Sequence, residues 1–521
     1  MESNAGYERA LARVGAGASA RLVAAGVRLV ASLAVVALGV RLLGTSGMGI
    51  LAFLLSFVAI TTKVFTFGLG TATVREISSM RAQGDQRGLE ERIRAALTIG
   101  LFGGGAGLLM VLVLSQWVVS SLDPLGRFVT AGGIGILLFG ASVYSTTVSI
   151  LRGLGRVVVV EVVPTIDTVG RLGVILLLTA FALPDVRFVG MGFGVVGVVL
   201  LGVSAFVIRK AFQDVPKLLR PDFQAARAFI QLAVPFATMG AAHFILARFD
   251  VFLLGLTASS SDVGVYDPTL RLVVAGTSLA VTLFLVQFIP QATRLLSSRD
   301  HEGFRNFYIT VSKLVFIATI PVLVGLATGP RVALHVVYGR EFPARADIVW
   351  ILIAGYAVHV AFGLNGASLM ATGNRRAMIT AGVVTATAMF ALAFALIPTF
   401  GMVGAAIATS ATFVVMNVTI AYQLARVVGV VPFRRDFVIT LVSSCVPVGL
   451  GLLLRFLGMR FGAIELAAVS LGLWAIWVAA LWLGRVVGPE DVTPLIVWAR
   501  RKPLEPDVTP AAAGSLEMDD L

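Results

Sequence analysis

The sequence predicts an all-α polytopic membrane protein of about 14 transmembrane helices, arranged as two six-helix lobes followed by a C-terminal pair. Three observations carry this. Of the 521 residues, 58% are hydrophobic and 13% charged, with a mean hydropathy of +0.94, whereas ordinary soluble domains are roughly a quarter charged. The apolar residues gather in runs of about 20, the length of helix that crosses about 30 Å of hydrocarbon. Helix-opening and helix-closing motifs also recur roughly 215 residues apart. Backbone groups in hydrocarbon must satisfy one another, so the runs are helices, and the lack of alternation excludes a β-barrel.

Segments 1 to 6 fall at about 22–43, 48–70, 95–115, 127–151, 157–181 and 187–208. Segment 2 opens on Gly47-Met48-Gly49-Ile50-Leu51 after a short turn. Segment 3 carries Gly100, Gly103, Gly104, Gly105 and Gly107, spacing that suits close helix packing. Segment 4 closes on Leu151-Arg152-Gly153-Leu154-Gly155-Arg156, and segment 6 opens with Gly190, Gly194 and Gly197. Segments 7 to 12 follow at about 228–256, 264–290, 308–328, 346–371, 376–397 and 401–424. The same marks return in order: Asp262-Val263-Gly264-Val265-Tyr266 opens segment 8, Leu369 to Arg375 closes segment 10, and Gly401 to Ala406 opens segment 12. An even number of crossings per repeat gives the lobes one orientation, related by an axis along the membrane normal. Segments 13 and 14, at about 436–457 and 463–486, stand outside the repeat.

The expected division is an N-terminal arm (1–21), a first lobe (22–208), a linker (209–227) with Pro216 and Pro221, a second lobe (228–425), segments 13 and 14 (426–486) and a disordered tail (487–521). With the N-terminus inside, roughly 28 basic residues face the cytoplasm against about 8 outside, so both termini are expected in the cytoplasm. Arg294 to Lys313 is one of these basic inner stretches, and Arg75 to Arg94 another. The net charge of +13 is spread over many short loops, which suits anionic lipid headgroups rather than nucleic acid. No cleavable signal peptide is read in the arm. Cys445, the single cysteine, can form neither an internal disulfide nor a thiolate metal site and reads as a small buried apolar residue. There is no phosphate loop, HExxH or paired-cysteine motif, so neither a cofactor nor a metal is expected.

Charges inside apolar segments carry the functional expectation, because an ionised side chain at bilayer depth faces a bundle interior or a wet cavity. Lys63 has no acid within a turn of it and lies too deep to snorkel easily. Arg28 lies nearer a segment end, where snorkelling competes with function. Arg271 follows Asp267 by one turn, so an internal ion pair competes with a ligand contact. Asp167 and Arg171 in segment 5 show the same spacing, alongside Glu161 and the helix-bending Pro164. Arg248 and Asp250 lie in segment 7. Arg28, Lys63, Arg271 and Arg248 are the candidate anion contacts; Asp250, Asp267, Asp167 and Glu161 are the candidate coupling-ion groups. His243 and His359 lack metal-spaced partners and read as hydrogen-bonded packing residues.

Gly39 to Leu51 with Arg41-Leu42-Leu43-Gly44, then Gly68-Leu69-Gly70 and Arg75, resembles the opening of Wzx-type polysaccharide flippases. Asp250 with Asp262 to Tyr266, and Pro398 followed by Gly401 to Thr409, are similar to later helices of that family, so the resemblance covers about residues 15–430. It implies the multidrug/oligosaccharidyl-lipid/polysaccharide exporter superfamily, including the lipid II flippases, and a polyprenyl-linked glycan moved across the cytoplasmic inner membrane by alternating access. Flippases of the lipid II branch carry cavity cations on their first, second and eighth helices, where this chain has Arg28, Lys63 and Arg271. A lysine on the second helix keeps the charge but loses the planar fork for phosphate. The resemblance also implies a lipid-tail groove at segments 13 and 14, with glycosyltransferases and a glycan polymerase as partners. A proton or sodium gradient is the candidate driving force. A multidrug or cation antiporter of the same superfamily and, less favoured by the short outer loops, a membrane glycan polymerase or transferase are the competing expectations.

Overall fold

In the computed structural model, residues 2–65, 70–118, 123–155, 157–212, 218, 220–430 and 433–488 are described. At 2–25, 63–65, 71, 82, 114–118, 157–164, 232–244, 278–280, 282–287, 290 and 297 the description extends to the backbone alone. All elements among these residues are α-helices: α1 (Glu2–Phe65), α2 (Gly70–Gln83), α3 (Gln86–Val118), α4 (Pro124–Gly153), α5 (Val157–Ala180), α6 (Val186–Ala211), α7 (Phe223–Thr257), α8 (Ser260–Ser297), α9 (His301–Thr328), α10 (Pro330–Tyr338), α11 (Ala346–Ala361), α12 (Asn365–Thr372), α13 (Arg375–Val428), α14 (Arg435–Ser443), α15 (Cys445–Phe456) and α16 (Ala463–Leu483). Nine stretches of the described residues are long and apolar enough to cross a membrane.

Two of these helices hold two segments each. A straight α13, at 54 residues, would reach about 80 Å, more than twice the hydrocarbon thickness. It breaks at Gly401, φ 55°, and the chain doubles back so that Gly404 lies against the backbone of Leu396 and Ile397. α1 breaks likewise at Gly44, φ 68°, bringing Gly39 against the Met48 sulfur. Both positions lie in the left-handed region where glycine carries no Cβ penalty.

Other segments depart from their expected form. Segment 10 is interrupted between α11 and α12 at residues 362–364, with Gly363 at φ 60°. The exposed carbonyl of Phe362 accepts from the Tyr308 hydroxyl at 2.9 Å, which is how irregular backbone is tolerated within a bundle. Segment 13 is divided at Ser444 into α14 and α15. The basic stretch after residue 70 forms α2, and the longest outer loop contains α10.

Packing follows the small residues. α4 and α6 meet along Gly133, Gly140, Gly190 and Gly197, where an added methyl would overlap the facing backbone. Gly100, Gly104 and Gly107 admit α4 side chains against α3, as their spacing suggested. α13 packs along α7, α1 along α8, and α14 to α16 pack on α9. One buried apolar cluster joins α1, α4, α6, α7, α8, α11 and α13.

Two expectations are corrected here. Lys313 is not an exposed inner-loop cation but is buried in α9, where its ammonium donates to Asp436 at 3.0 Å and to the Val486 carbonyl at 3.2 Å. Cys445, at the start of α15, is exposed. Its apolar neighbours Val442 and Val446 are also outward, 67% and 58% exposed. Apolar surface so exposed is covered by lipid in a membrane-spanning chain.

Candidate functional site

Four ionisable side chains cluster where α7 meets α8. Asp267 has no exposed surface and accepts from both Arg248 Nη1 at 3.0 Å and Arg271 Nε at 2.6 Å. The spacing of Asp267 and Arg271 anticipated the second bond. The first required the fold, because Arg248 belongs to another helix. The two guanidiniums keep 25% and 18% of their side-chain surface exposed, so each has N–H groups left for an external acceptor.

Asp250 lies beside this group and is fully buried. Its Oδ1 accepts from the Val251 backbone N–H at 2.8 Å; its Oδ2 accepts from the Tyr266 hydroxyl at 2.6 Å and the Thr409 hydroxyl at 2.8 Å. Three helices therefore converge on one carboxylate. Sequence reading missed Tyr266 and Thr409 as ligands of Asp250, although both lie in the motifs that open segments 8 and 12 and could have been tested as a set.

In the first half, Asp167 and Arg171 form a bidentate pair at 2.9 and 2.7 Å, and the Arg171 guanidinium lies 5.8 Å from the centroid of the Phe193 ring. This is the self-neutralising pair that the i,i+4 spacing allowed. Arg28 on α1 approaches the Thr165 hydroxyl at 3.5 Å. Arg28 and Asp167 both lie within electrostatic reach of the buried Tyr144 hydroxyl on α4. The side chains of Lys63, Glu161 and His243 lie outside the described residues. The structure thus brings Arg248, Asp250, Asp267 and Arg271 together in one group, and Arg28, Asp167 and Arg171 in another.

Two further polar arrangements went unread. His359 contacts the side-chain amide of Asn417 at 3.2 to 3.3 Å, Asn365 donates to Asn417 Oδ1 at 3.0 Å, and Phe413 stacks near the imidazole at 4.8 Å. This supports the packing reading of His359 and stitches the interruption of segment 10 to α13. The second is a seam between α1 and α8. Thr45 Oγ1 meets Ser261 Oγ at 3.1 Å, and Ser46 Oγ meets Ser260 Oγ at 2.9 Å. Gly49 lies on the Ser260 carbonyl and Gly264 on that of Thr45, so no Cβ fits at either position. The contact is reciprocal, and its glycines are the repeat marks at the starts of segments 2 and 8.

Comparison with known proteins agrees with this architecture. The lipid II flippase MurJ, in an inward closed conformation, superposes with a TM-score of 0.68 at 14% identity, over 89% of this chain and 99% of that one. An inward-facing multidrug resistance transporter of the MATE family in the MOP superfamily gives 0.62 at 13% identity, over 79% and 98%. The probable low-salt glycan biosynthesis flippase Agl15 of Haloferax volcanii is 24% identical over 447 residues, 82% of this chain and 89% of that protein. The family model described as polysaccharide biosynthesis protein matches residues 14–296. That match spans more than half of the chain, which therefore belongs to the polysaccharide biosynthesis protein family.

Proposed function

We propose that this chain is a flippase that carries a polyprenyl-(di)phosphate-linked oligosaccharide from the cytoplasmic to the outer leaflet by alternating access, in surface polysaccharide or glycoconjugate synthesis. It is a multi-pass membrane transporter, not an enzyme. The observation that carries the substrate class is the pair of mostly buried guanidiniums, Arg248 and Arg271, held on the buried Asp267 with part of their surface still open. A charge-assisted bond from such a fork is the strong way to hold a phosphate oxygen. Arg28 adds a cation from α1, and Lys63 is assigned the same role from its place in segment 2. A polar headgroup then crosses about 30 Å between two six-helix lobes while the polyprenyl tail stays in lipid. A cationic drug would meet Arg28, Arg248 and Arg271, which disfavours the multidrug antiporter reading.

Coupling is assigned to Asp250. With Asp250 ionised, it and Arg248, Arg271 and Asp267 sum to zero charge; when a proton or sodium ion occupies it, they sum to +1 and hold an anion better. Asp267, engaged by two arginines, is assigned to positioning rather than to ion coupling, and Asp167 is committed to Arg171. The chain is placed in the cytoplasmic membrane with both termini in the cytoplasm, next to the glycosyltransferases and polymerase that make and use the lipid-linked glycan.

The test is reconstitution of the purified chain in vesicles with a labelled lipid-linked oligosaccharide, leaflet exposure being measured under imposed proton and sodium gradients. Transfer faster than in protein-free vesicles, and lost on Arg271→Ala, is the expected result. Transfer of a cationic dye with no effect on the glycolipid would replace this reading with the antiporter.

A further inference from the structure

We infer that Arg331 and Arg455, at the C-terminal end of α9, form a binding site for the phosphate of an anionic phospholipid. The inference goes beyond the flippase reading and does not depend on which substrate is moved. It needs only a chain that spans a membrane.

Arg455 lies in the last turn of α15, partly exposed, and its Nη1 donates to the Thr328 carbonyl at 3.2 Å. Its guanidinium lies 4.8 Å from the centroid of the Trp350 ring, whose Nε1 donates to the Ala327 carbonyl at 3.0 Å. These bonds satisfy two of the last carbonyls of α9 and hold the guanidinium beside a tryptophan, the residue that favours headgroup depth in a membrane. A guanidinium carries five N–H donors, so most remain for a ligand. Arg331 comes three residues after Thr328, at the second position of α10, and is exposed. A cation in a first turn opposes the helix dipole, and α10 has no acidic residue there to offset it. Arg331 is also the charge that acts on Arg455.

Among the described residues neither arginine forms an ion pair. Other arginines of the loops expected on this side do: Arg187 is shared by Asp123 and Asp185, and Arg345 is bidentate on Asp347. Glu465, at the start of α16, turns its Oε2 back to the Gly462 N–H at 2.9 Å and is not among the charges that act on Arg455. Two like charges in open water are screened by salt. Here Leu452, Leu453 and Phe456 flank Arg455 on α15 and are exposed, so the pair borders lipid, where the counterion at hand is a headgroup phosphate. Guanidinium forks hold a phosphate oxygen well, and the apolar flank suits a ligand that brings hydrocarbon chains with its charge. A bilayer's own anionic phospholipid meets both requirements. The substrate phosphate is assigned elsewhere, to Arg248 and Arg271 on α7 and α8, whereas α15 packs on α9 and α16.

The experiment titrates the full-length chain in neutral detergent with phosphatidylglycerol and reads the melting temperature. Diacylglycerol is the phosphate-free control, and undecaprenyl phosphate is a competing source of the same chemistry. Wild-type protein is expected to gain melting temperature with phosphatidylglycerol and not with diacylglycerol. Arg331→Gln is expected to melt as wild type without lipid, since it deletes an exposed cation that opposes its own helix dipole, yet to bind phosphatidylglycerol about fivefold more weakly. Arg331→Glu gives Arg455 a carboxylate within the chain, so its unliganded melting should equal or exceed wild type while the response to phosphatidylglycerol is lost. Arg340→Gln, on the same loop, controls for general attraction between a basic protein and an anionic lipid and should respond as wild type. Equal responses of wild type and Arg331→Gln overturn the inference, as does equal weakening by Arg340→Gln. A larger gain from undecaprenyl phosphate, lost in the same variants, overturns the phospholipid assignment in favour of the polyprenyl carrier. These readouts involve no leaflet transfer, so failure of the flippase reading in the vesicle assay leaves them standing.

Discussion

Asp267 shows how one carboxylate sets the behaviour of two cations. It holds Arg248 and Arg271 in fixed directions and removes one unit of charge from the group. Replacing it by Asn should therefore tighten diphosphate binding severalfold while slowing leaflet transfer at least tenfold, since a ligand held too well at one stage of a cycle is released slowly. Calorimetric binding and the vesicle assay read the two effects separately; weaker binding with normal transfer would contradict the positioning role. Arg271→Lys keeps the charge but not the fork and should retain only part of the activity. Asp250→Asn should still bind substrate, because it fixes the group at +1, but its transfer should no longer respond to an imposed gradient. A full gradient response in that variant would move coupling elsewhere. The sequence disclosed these residues unequally. Arg271 and Asp267 share a helix and a spacing, so their bond could be read; Arg248, Tyr266 and Thr409 reach their partners only after three helices converge.

Helices were legible as apolar runs, but their joints were not. Gly401 stood out as a repeat mark and Gly44 lies in the motif that resembles the flippases, yet the sequence could not show that the helix continues on both sides of each one. Segment 10 reads as one apolar run because its interruption is filled from outside, by Tyr308 on the Phe362 carbonyl and Asn365 on Asn417. Lys313 is the clearest case. Counted as a loop cation, it instead ties α9 to α14 and to the chain beyond α16 through Asp436 and the Val486 carbonyl. Asp436 is also held bidentately by Arg434 at 2.7 and 2.8 Å. The two partners are therefore not equivalent. Lys313→Met leaves Asp436 neutralised by Arg434, whereas Asp436→Ala takes this carboxylate from a buried ammonium, a loss of about 3 to 5 kcal/mol. Thermal melting should accordingly fall much further for Asp436→Ala than for Lys313→Met, and equal effects would mean that Arg434 does not share the carboxylate.

At the scale of the molecule, the α1–α8 seam closes on two glycines, Gly49 and Gly264, that are themselves repeat marks. Each side gives a glycine and two hydroxyls and receives the other's carbonyl, so the contact is reciprocal. At the N-terminal end of α7, Arg94 meets Asp222 at 3.2 Å, and Phe229 and Ala225 pack with Ile77 and Ile93. Rocking of one half against the other requires such contacts to be made and broken in turn. The seam is the better one to lock, because Ser46 and Ser260 already place their side-chain oxygens 2.9 Å apart. In a Cys445→Ser background, which removes the exposed native thiol, Ser46→Cys with Ser260→Cys should cross-link under mild oxidation and stop glycolipid transfer. Reduction should restore it. Gly49→Val should act in the opposite sense, since its side chain overlaps the Ser260 carbonyl and holds the seam apart. That variant should label faster at a cysteine placed at residue 260 with a membrane-impermeant thiol reagent, while transfer falls for want of closure. Undiminished transfer by the oxidised double-cysteine chain would show that the seam stays shut throughout the cycle and that the halves move about some other contact.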